Sequence, residues 1–486
     1  MRLNTHLLLR TSSSVSVRCA ILGVLLVSML GLSACVSYAP EPLILKEQST
    51  RFLQRGLSDE GLRAFLEKQA GERLGAWPLE SWDLSSLTLA AFYFQPALAE
   101  ARAEWESAAA LELDSKRRPN PSLNLGAGYN STVGIPSPWI LTSLLDLTIE
   151  TGGKRGARRK AAHQDVEIAR LHVASVAWTI RDQVRLGMIA LTAAIEANKL
   201  ITERLILQQA YEGQIDKQVE VGLISLAQLT AVKSETEEVR MVAQEVQFKE
   251  QSALLSLAAA LGLPSDALAG RNIAFESLWS SPKAPLGGGT AEIALFNRAE
   301  VLSALADYAK TEADLRLQIA NQYPDLSFGP GFEYDQGDHK WSLGTGFSLP
   351  IFTRNRNKIA AAEANRRAAA ARFDGVQIKV LDEVAQAEAG FRFATQNLAI
   401  ADSLARTFEQ TEQLAASRWQ SGDLSKTELM AVQLQMNVRA LDRLATKADY
   451  LRALGDLENA LQSPLGSTLA TMQNGTAQDE SKANQN

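Results

Sequence analysis

Only two cysteines occur in 486 residues, and one of them, Cys19, falls inside what reads as a leader, so disulfide frameworks and paired-thiol chemistry are excluded. The histidines beyond the leader, His163, His172 and His339, lack ligand spacing, and no methionine ladder exists. No metal site or other cofactor is therefore expected, and a metal cargo would pass through water without being held. No nucleophile, phosphate loop or dinucleotide motif stands out, which leaves no argument for an enzyme. Aromatic residues make up only 6% against 46% apolar residues in all, and alanine is abundant. Interiors built of alanine and leucine point to helices lying closely side by side. The net charge of -6 disfavours nucleic acid as a partner.

The apolar run Ala20–Leu32 is too short to span a bilayer as a helix, and Arg2, Arg10 and Arg18 precede or flank it. Residues 1–34 read as a signal peptide. Its end, Leu32-Ser33-Ala34-Cys35, resembles a bacterial lipobox, in which cleavage exposes Cys35 for acylation and the acyl chains bind outer-membrane lipid. An ordinary cleavage site beside an incidental cysteine is the alternative. Removal takes away three arginines and no acid, which moves the charge from -6 to -9. Val36 and Ser37 follow the cysteine; the absence of aspartate there resembles lipoproteins sorted to the outer membrane.

Pro40, Pro42 and Pro78 mark residues 35–87 as an extended, lipidated N-terminal arm with one short helical stretch near Leu62–Ala70. A helix is expected from about Thr88 to Lys116, stopped by Pro119 and Pro121. Leu123, Leu125, Ala127 and Tyr129 then alternate with Ser122, Asn124, Gly126 and Gly128, the period of a strand, and Trp139–Glu150 returns after a Gly and Pro turn. A long helix follows from about Lys154 to Tyr211, spanning roughly 87 Å. A second helix, Ser225–Leu261, stops at Pro264. On the long helix Val166, Ala169, Val173, Val176, Ile180, Val184, Gly187, Leu191 and Ala194 form a seam at spacings of three and four, with Leu171, Trp178 and Ile189 off it, so at least two faces can pack.

The whole unit occurs twice. At an offset of 203, Ala101 meets Ala304, Pro121 meets Pro324, Gly126 meets Gly329 and Gly128 meets Gly331. Past the hairpin the offset is 200 and pairs Lys154 with Arg354, Gly222 with Gly422, Ser225 with Ser425, Leu229 with Leu429 and Pro264 with Pro464. One three-residue difference in hairpin length accounts for both. The chain thus divides into a first repeat at 88–264, a linker at 265–290, a second repeat at 291–464 and a polar, low-complexity tail at 465–486 that is expected to be disordered. In the second repeat Trp341, Leu343, Thr345, Phe347 and Leu349 line one strand face, and from Arg354 the pattern again becomes that of a very long helix.

Each repeat supplies two strands long enough to cross a bilayer at a tilt, apolar on one face and Gly, Ser, Asn or Thr on the other, as lipid outside and water inside require. Strands in hydrocarbon cannot leave edges open, because unpaired backbone groups cost several kcal/mol each. Four strands do not close a barrel, whereas three chains supply twelve, enough to leave a lumen. The fold class is mainly α with a small membrane β-barrel: a duplicated strand-strand-helix-helix protomer, trimeric, with the long helices continuing the barrel as a tube.

These features resemble the outer-membrane efflux family typified by TolC, over about residues 88 to 464. Ile149-Glu150-Thr151-Gly152-Gly153-Lys154-Arg155 and Leu349-Pro350-Ile351-Phe352-Thr353-Arg354-Asn355 look most like its heavy-metal efflux branch. The resemblance implies a homotrimeric exit duct that docks on a periplasmic adaptor protein and an inner-membrane pump and passes small solutes, heavy-metal cations among them, out of the cell. An outer-membrane duct for type I protein secretion, or a periplasmic coiled-coil lipoprotein with no pore, are the alternatives; the four alternating strand segments argue against the second.

The turns Val221–Leu229 and Ser421–Leu429 read as capping boxes, Ser225 with Gln228 and Ser425 with Glu428, each after a helix-ending glycine. By resemblance, Gly222, Leu223, Ser225, Gly422, Leu424 and Ser425 form a periplasmic tip that meets the adaptor. Glu428, with Asp423 beside it, matches the first acidic gate position of TolC-type channels, while the second such position falls on Ala431. Three like charges brought together in a pore favour cations. Lys154, Arg155, Arg158, Arg354 and Arg356 form a basic collar at helix starts, where positive charge opposes the macrodipole; either lipid phosphates or solvent would face it.

Overall fold

The computed structural model describes residues 37–71, 73–134, 136–275, 278 and 289–463. The leader, Cys35, Gly287 and Gly288 of the linker and the 465–486 tail lie outside the described residues. The chain forms two compact units, one ending at Gln54 and the other starting at Arg55. In the first, α1 (Leu45–Leu53) buries no residue and carries a Thr50 hydroxyl bond to the Lys46 carbonyl at 2.8 Å.

The second unit begins with folded chain where the prolines suggest an extended arm. Helix α2 (Glu60–Ala70) starts at Asp59, whose carboxylate accepts the Leu62 N–H at 3.0 Å, and α3 (Leu84–Phe94) starts with a capping box of Asp83 and Ser86. Leu57, Leu62, Trp82 and Leu87 are fully buried and share a core with Met188, Leu257 and Leu261. The Trp82 backbone N–H donates to the Asn272 carbonyl at 3.0 Å, which ties this segment to chain beyond the first repeat. The segment folds on its own apolar residues and on Met188, Leu257 and Leu261, which lie more than a hundred residues beyond Trp82.

The helix expected over Thr88–Lys116 is interrupted. It divides at Gln95 into α3 and α4 (Pro96–Ser115), with Pro96 at the first helical position. The second repeat divides at the counterpart, Arg298, between α7 (Thr290–Asn297) and α8 (Ala299–Ala320), without a proline. Both residues have φ of -70°, with ψ of 120° and 126°. Gln95 Nε2 donates to the Ala259 and Ala260 carbonyls at 2.8 and 2.7 Å, satisfying the end of a neighbouring helix, and the Ala299 N–H donates to Gln462 Oε1 at 2.8 Å. Tertiary capping therefore sets the break.

Strands β1 (Ser122–Tyr129) and β2 (Trp139–Ile149) precede α5 (Lys154–Glu220) and α6 (Leu226–Leu261); β3 (Leu326–Asp335) and β4 (Asp338–Phe347) precede α9 (Arg356–Gln420) and α10 (Lys426–Leu461). The long helices have 67 and 65 residues, about 100 Å each, longer than the period alone suggests because both run on to the glycine turns. The α5 seam is realised: Ile180, Val184, Gly187 and Leu191 are buried, and Val173 and Val176 pack against the same core. Ile180, Val184 and Leu191 have counterparts in Val380, Val384 and Phe391, buried in an equivalent cluster of the second repeat. Helix α5 packs on α4 and α6 of its own repeat and on α8 and α10 of the other, whereas the principal partners of α9 are α7, α8 and α10.

The four strands form one antiparallel sheet in the order β1-β2-β3-β4. The β2–β3 ladder joins the repeats, pairing Leu144 with Gly331 and Leu147 with Phe328, and opens between them at Pro330, which has no N–H to give. Strand β4 starts three residues before Trp341 and ends at Phe347, two short of Leu349.

Candidate functional site

The register gathers the alternating strands into two faces, one apolar and one mainly polar onto which β2 also turns Ile140 and Leu144. Leu125, Ser143, Phe332 and Trp341 stand in one row, and Leu147, Phe328 and Thr345 in another on the same side. Trp341 and Leu343 on that face are 82% and 71% exposed, far more than water tolerates in a soluble sheet. Tyr129 with Trp139 and Phe332 with Trp341 meet at ring centroids 5.3 and 4.9 Å apart near the hairpin ends, as an aromatic girdle would.

The opposite face carries Ser122, Asn124, Thr142, Asp146, Ser327, Glu333, Asp335, Asp338, Lys340 and Ser342, interleaved with glycine. Glycine is needed there for space: a Cβ on Gly126 would stand 2.5 Å from Thr142 Oγ1, and one on Gly331 2.6 Å from Ser342 Oγ. Lys340 Nζ meets Asp335 Oδ2 at 2.5 Å, which leaves Asp146, Glu333 and Asp338 to set the sign of the face as negative. Among the described residues both outer strands, β1 and β4, keep one edge without a partner.

At the base of the sheet, Lys154 is buried and its ammonium lies 2.7 Å from Asp325 Oδ1, while the Arg158 guanidinium grips both oxygens of Glu150 at 2.7 and 3.1 Å. These two members of the expected collar hold strand ends to the helix start instead of facing an outside anion. Arg155 is half-buried at the same helix start. Arg356 is exposed in the first turn of α9, and Arg354 is exposed in the loop two residues ahead of that helix, not within it.

The two helical turns have the same construction. At Gly222 and Gly422 φ is 73° and 82°; Leu223 N–H reaches the Gln218 carbonyl and Asp423 N–H the Arg418 carbonyl, both at 2.8 Å. The Ser225–Gln228 and Ser425–Glu428 boxes are both closed. Leu223, Ser225, Ser425 and Glu428 are exposed, Leu424 is half-buried, and the Asp423 carboxylate accepts the Ser421 hydroxyl at 2.9 Å. Gln218 Nε2 and Thr427 Oγ1 approach to 3.5 Å, so the turns lie side by side.

The Ser425 hydroxyl, then the Ser425 backbone N–H, hold the Glu428 carboxyl below its ordinary range. A lowered folded value means that the cap contributes above the unfolded carboxylate pKa and is lost as pH falls through the folded one. Ser425→Ala is expected to weaken the first turn of α10 by about 1 kcal/mol. Faster amide exchange at Glu428, with the Gln228 amide unchanged, checks it.

Two groups of functional side chains were not visible in the sequence pattern: the carboxylates Asp325 and Glu150 that occupy the collar, and the charged rows on the polar strand face. The repeat itself carries the missing signal, because Asp325 stands where the first copy has Ser122. Among the described residues no group of three or more His, Cys, Asp or Glu could hold a metal, and no helix is long and apolar enough to cross a membrane.

The outer membrane efflux protein family matches over residues 93–263 and 290–463. The cobalt-zinc-cadmium resistance protein CzcC of Cupriavidus metallidurans is 27% identical over 359 residues, 72% of this chain and 78% of that one. The crystal structure of the outer membrane protein VceC from Vibrio cholerae aligns with a TM-score of 0.62 at 20% identity, over 79% of this chain and 97% of that one. The open-state MtrE outer membrane channel of Neisseria gonorrhoeae aligns at 0.65 and 16% identity, over 79% and 89%.

Proposed function

The chain belongs to the outer membrane efflux protein family and is an efflux duct of the outer membrane, and from that premise we propose that three copies close round one pore that releases heavy-metal cations. The observation that carries this reading is the sheet, with one apolar face, one acidic and glycine-spaced face, and two unpaired edges. Edges in hydrocarbon require closure, and the acidic face suits a positive cargo. Likeness to a cobalt-zinc-cadmium resistance protein supports the metal branch over other small solutes. In this reading Cys35 is acylated, a periplasmic adaptor and an inner-membrane pump meet the tip at Gly222, Leu223, Ser225, Gly422, Leu424 and Ser425, and Glu428 and Asp423 ring the closed end. Arg155, Arg354 and Arg356 face lipid phosphate at the base of the barrel.

Single-channel conductance in a planar bilayer under a salt gradient tests the pore. Wild type is expected to show discrete, cation-preferring steps. Glu428→Gln is a clean comparison, because Gln228 already closes the same capping box in the first repeat. The helix start should survive and the cation preference should fall. Unchanged preference would remove Glu428 from the gate, and a folded trimer that never conducts, even with its turns loosened by mutation, would remove the pore.

A further inference from the structure

The proposed duct makes no use of one cleft in the second unit. It has a volume of about 370 Å³ and lies where the chain that follows the first repeat crosses α5 and α6. Leu191, Ile195, Leu254, Leu268, Ile273 and Phe275 supply its apolar walls, and Leu191 and Leu268 are buried beneath it. Two side chains of opposite charge, Glu250 and Arg271, also line it. A mostly apolar cleft of this size with a few convergent polar groups has the make-up of a small-molecule site.

The wall formed by residues 268–275 is fixed by contacts of its own. Trp82 donates its backbone N–H to the Asn272 carbonyl at 3.0 Å and accepts the Ala274 N–H at 2.9 Å, while the Ala269 and Arg271 N–H groups turn back on the Asp266 and Leu268 carbonyls. A preformed wall spares a ligand the cost of ordering it. The two charges, by contrast, have no match inside the protein. Glu250 and Arg271 are both half-buried, and among the described residues neither enters an ion pair. The Glu250 carboxylate accepts one neutral donor, Asn198 Nδ2 at 2.7 Å.

The second copy fills the same place. At the offset of 200, Leu191, Asn198 and Glu250 correspond to Phe391, Leu398 and Tyr450. The Phe391 and Tyr450 rings meet with centroids 5.5 Å apart, and Phe391 is only 4% exposed. Two aromatic rings thus stand where the first copy keeps a cleft, and the polar pair of Glu250 and Asn198 is gone with it. The fold therefore permits this junction to be packed shut with apolar side chains, as a mere packing defect would favour. A half-buried carboxylate with a single neutral partner costs desolvation instead, a cost that an incoming cation offsets.

We propose that the cleft between α5, α6 and residues 268–275 binds a small zwitterion with an apolar body, of about the size of a dipeptide, with its ammonium on Glu250 and its carboxylate on Arg271. The apolar walls take the body where the second copy places its own rings. The site belongs to the first repeat alone, and it does not depend on closure of a pore.

Equilibrium dialysis of the detergent-extracted full chain against three probes tests this. Leucyl-phenylalanine is expected to bind saturably, at one site per chain. N-acetyl-leucyl-phenylalanine lacks the ammonium and leucyl-phenylalaninamide lacks the carboxylate, so each should bind about tenfold more weakly. Glu250→Gln keeps an acceptor for Asn198 and removes the charge; it should weaken the free dipeptide about tenfold and no longer tell it from the acetylated one. Arg271→Gln should do the same for the amide. Leu191→Phe with Glu250→Tyr puts the second copy's rings into the cleft and should abolish binding while circular dichroism stays helical. If that pair fails to fold, the two glutamine variants still decide. Absence of saturable binding to wild type, binding that survives the ring pair in a helical protein, or an order of the three probes that neither glutamine variant alters would each overturn the site.

Discussion

Glu458→Ala is expected to destabilise the helical region by about 3–5 kcal/mol, because the loss strands the buried Arg185 guanidinium and the partly buried Arg181 beside it. Glu458 is only 4% exposed and receives Arg181 Nη2 at 2.8 Å and Arg185 from the same side. Burial, then the Asp456 carboxylate, already pushes the Asp182 carboxyl up, so that group is a poor substitute acceptor. Replacing the cluster as a whole is another matter. Arg181→Leu, Arg185→Ala, Gly455→Leu and Glu458→Ala together place at the internal seam the residues found at its counterparts, and breaking no pair while filling the space should leave stability within about 2 kcal/mol of wild type. The midpoint of thermal loss of helical circular dichroism measures both. If the single change and the combined one cost the same, the pairing of Arg185 with Glu458 is not what the seam depends on.

The second large effect is expected at Trp82. Trp82→Ala should cost about 3–5 kcal/mol, since it empties the centre of the core shared by α2, α3, α5 and α6. Trp82→Phe should cost much less: the indole Nε1 has no hydrogen-bond partner, so only volume is lost. Limited proteolysis between α2 and α3 reports the difference. Rapid cleavage in the alanine variant and resistance in the phenylalanine variant are the expected results. Equal resistance in both would mean that residues 55–94 hold to the helices by other contacts.

How much of this was legible depends on the range of the interaction responsible. The alternation from Trp341 to Phe347 reports a strand because each residue's neighbours two positions away share its face, and Gly222 with Ser225 reports a turn because the cap closes within four residues. Both readings agree with the structure. The break at Gln95 is different: Pro96 permits a helix start, but the Ala259 and Ala260 carbonyls that fix it are 164 and 165 residues distant. Arg298 breaks the second copy with no local signal at all. The collar shows the same limit at the candidate site. A run of basic residues looks alike whether solvent, lipid or a carboxylate faces it, and only folding brings Asp325 to Lys154 and Glu150 to Arg158. Comparing the copies recovers part of this, since a charged residue whose counterpart is neutral marks a contact that one copy makes and the other does not.

The two glycine turns are alike in backbone and unlike in charge. The first, Gly222-Leu223-Ile224-Ser225, is neutral through Gln228, and the second carries Asp423, Lys426 and Glu428. With long helices of nearly equal length, the turns end at the same depth. In the proposed ring of three copies the rim would have six teeth of one shape in two alternating kinds, so its outline would repeat every sixth of a circle and its potential every third. A partner that reads shape can seat in six ways, and one that reads charge in three.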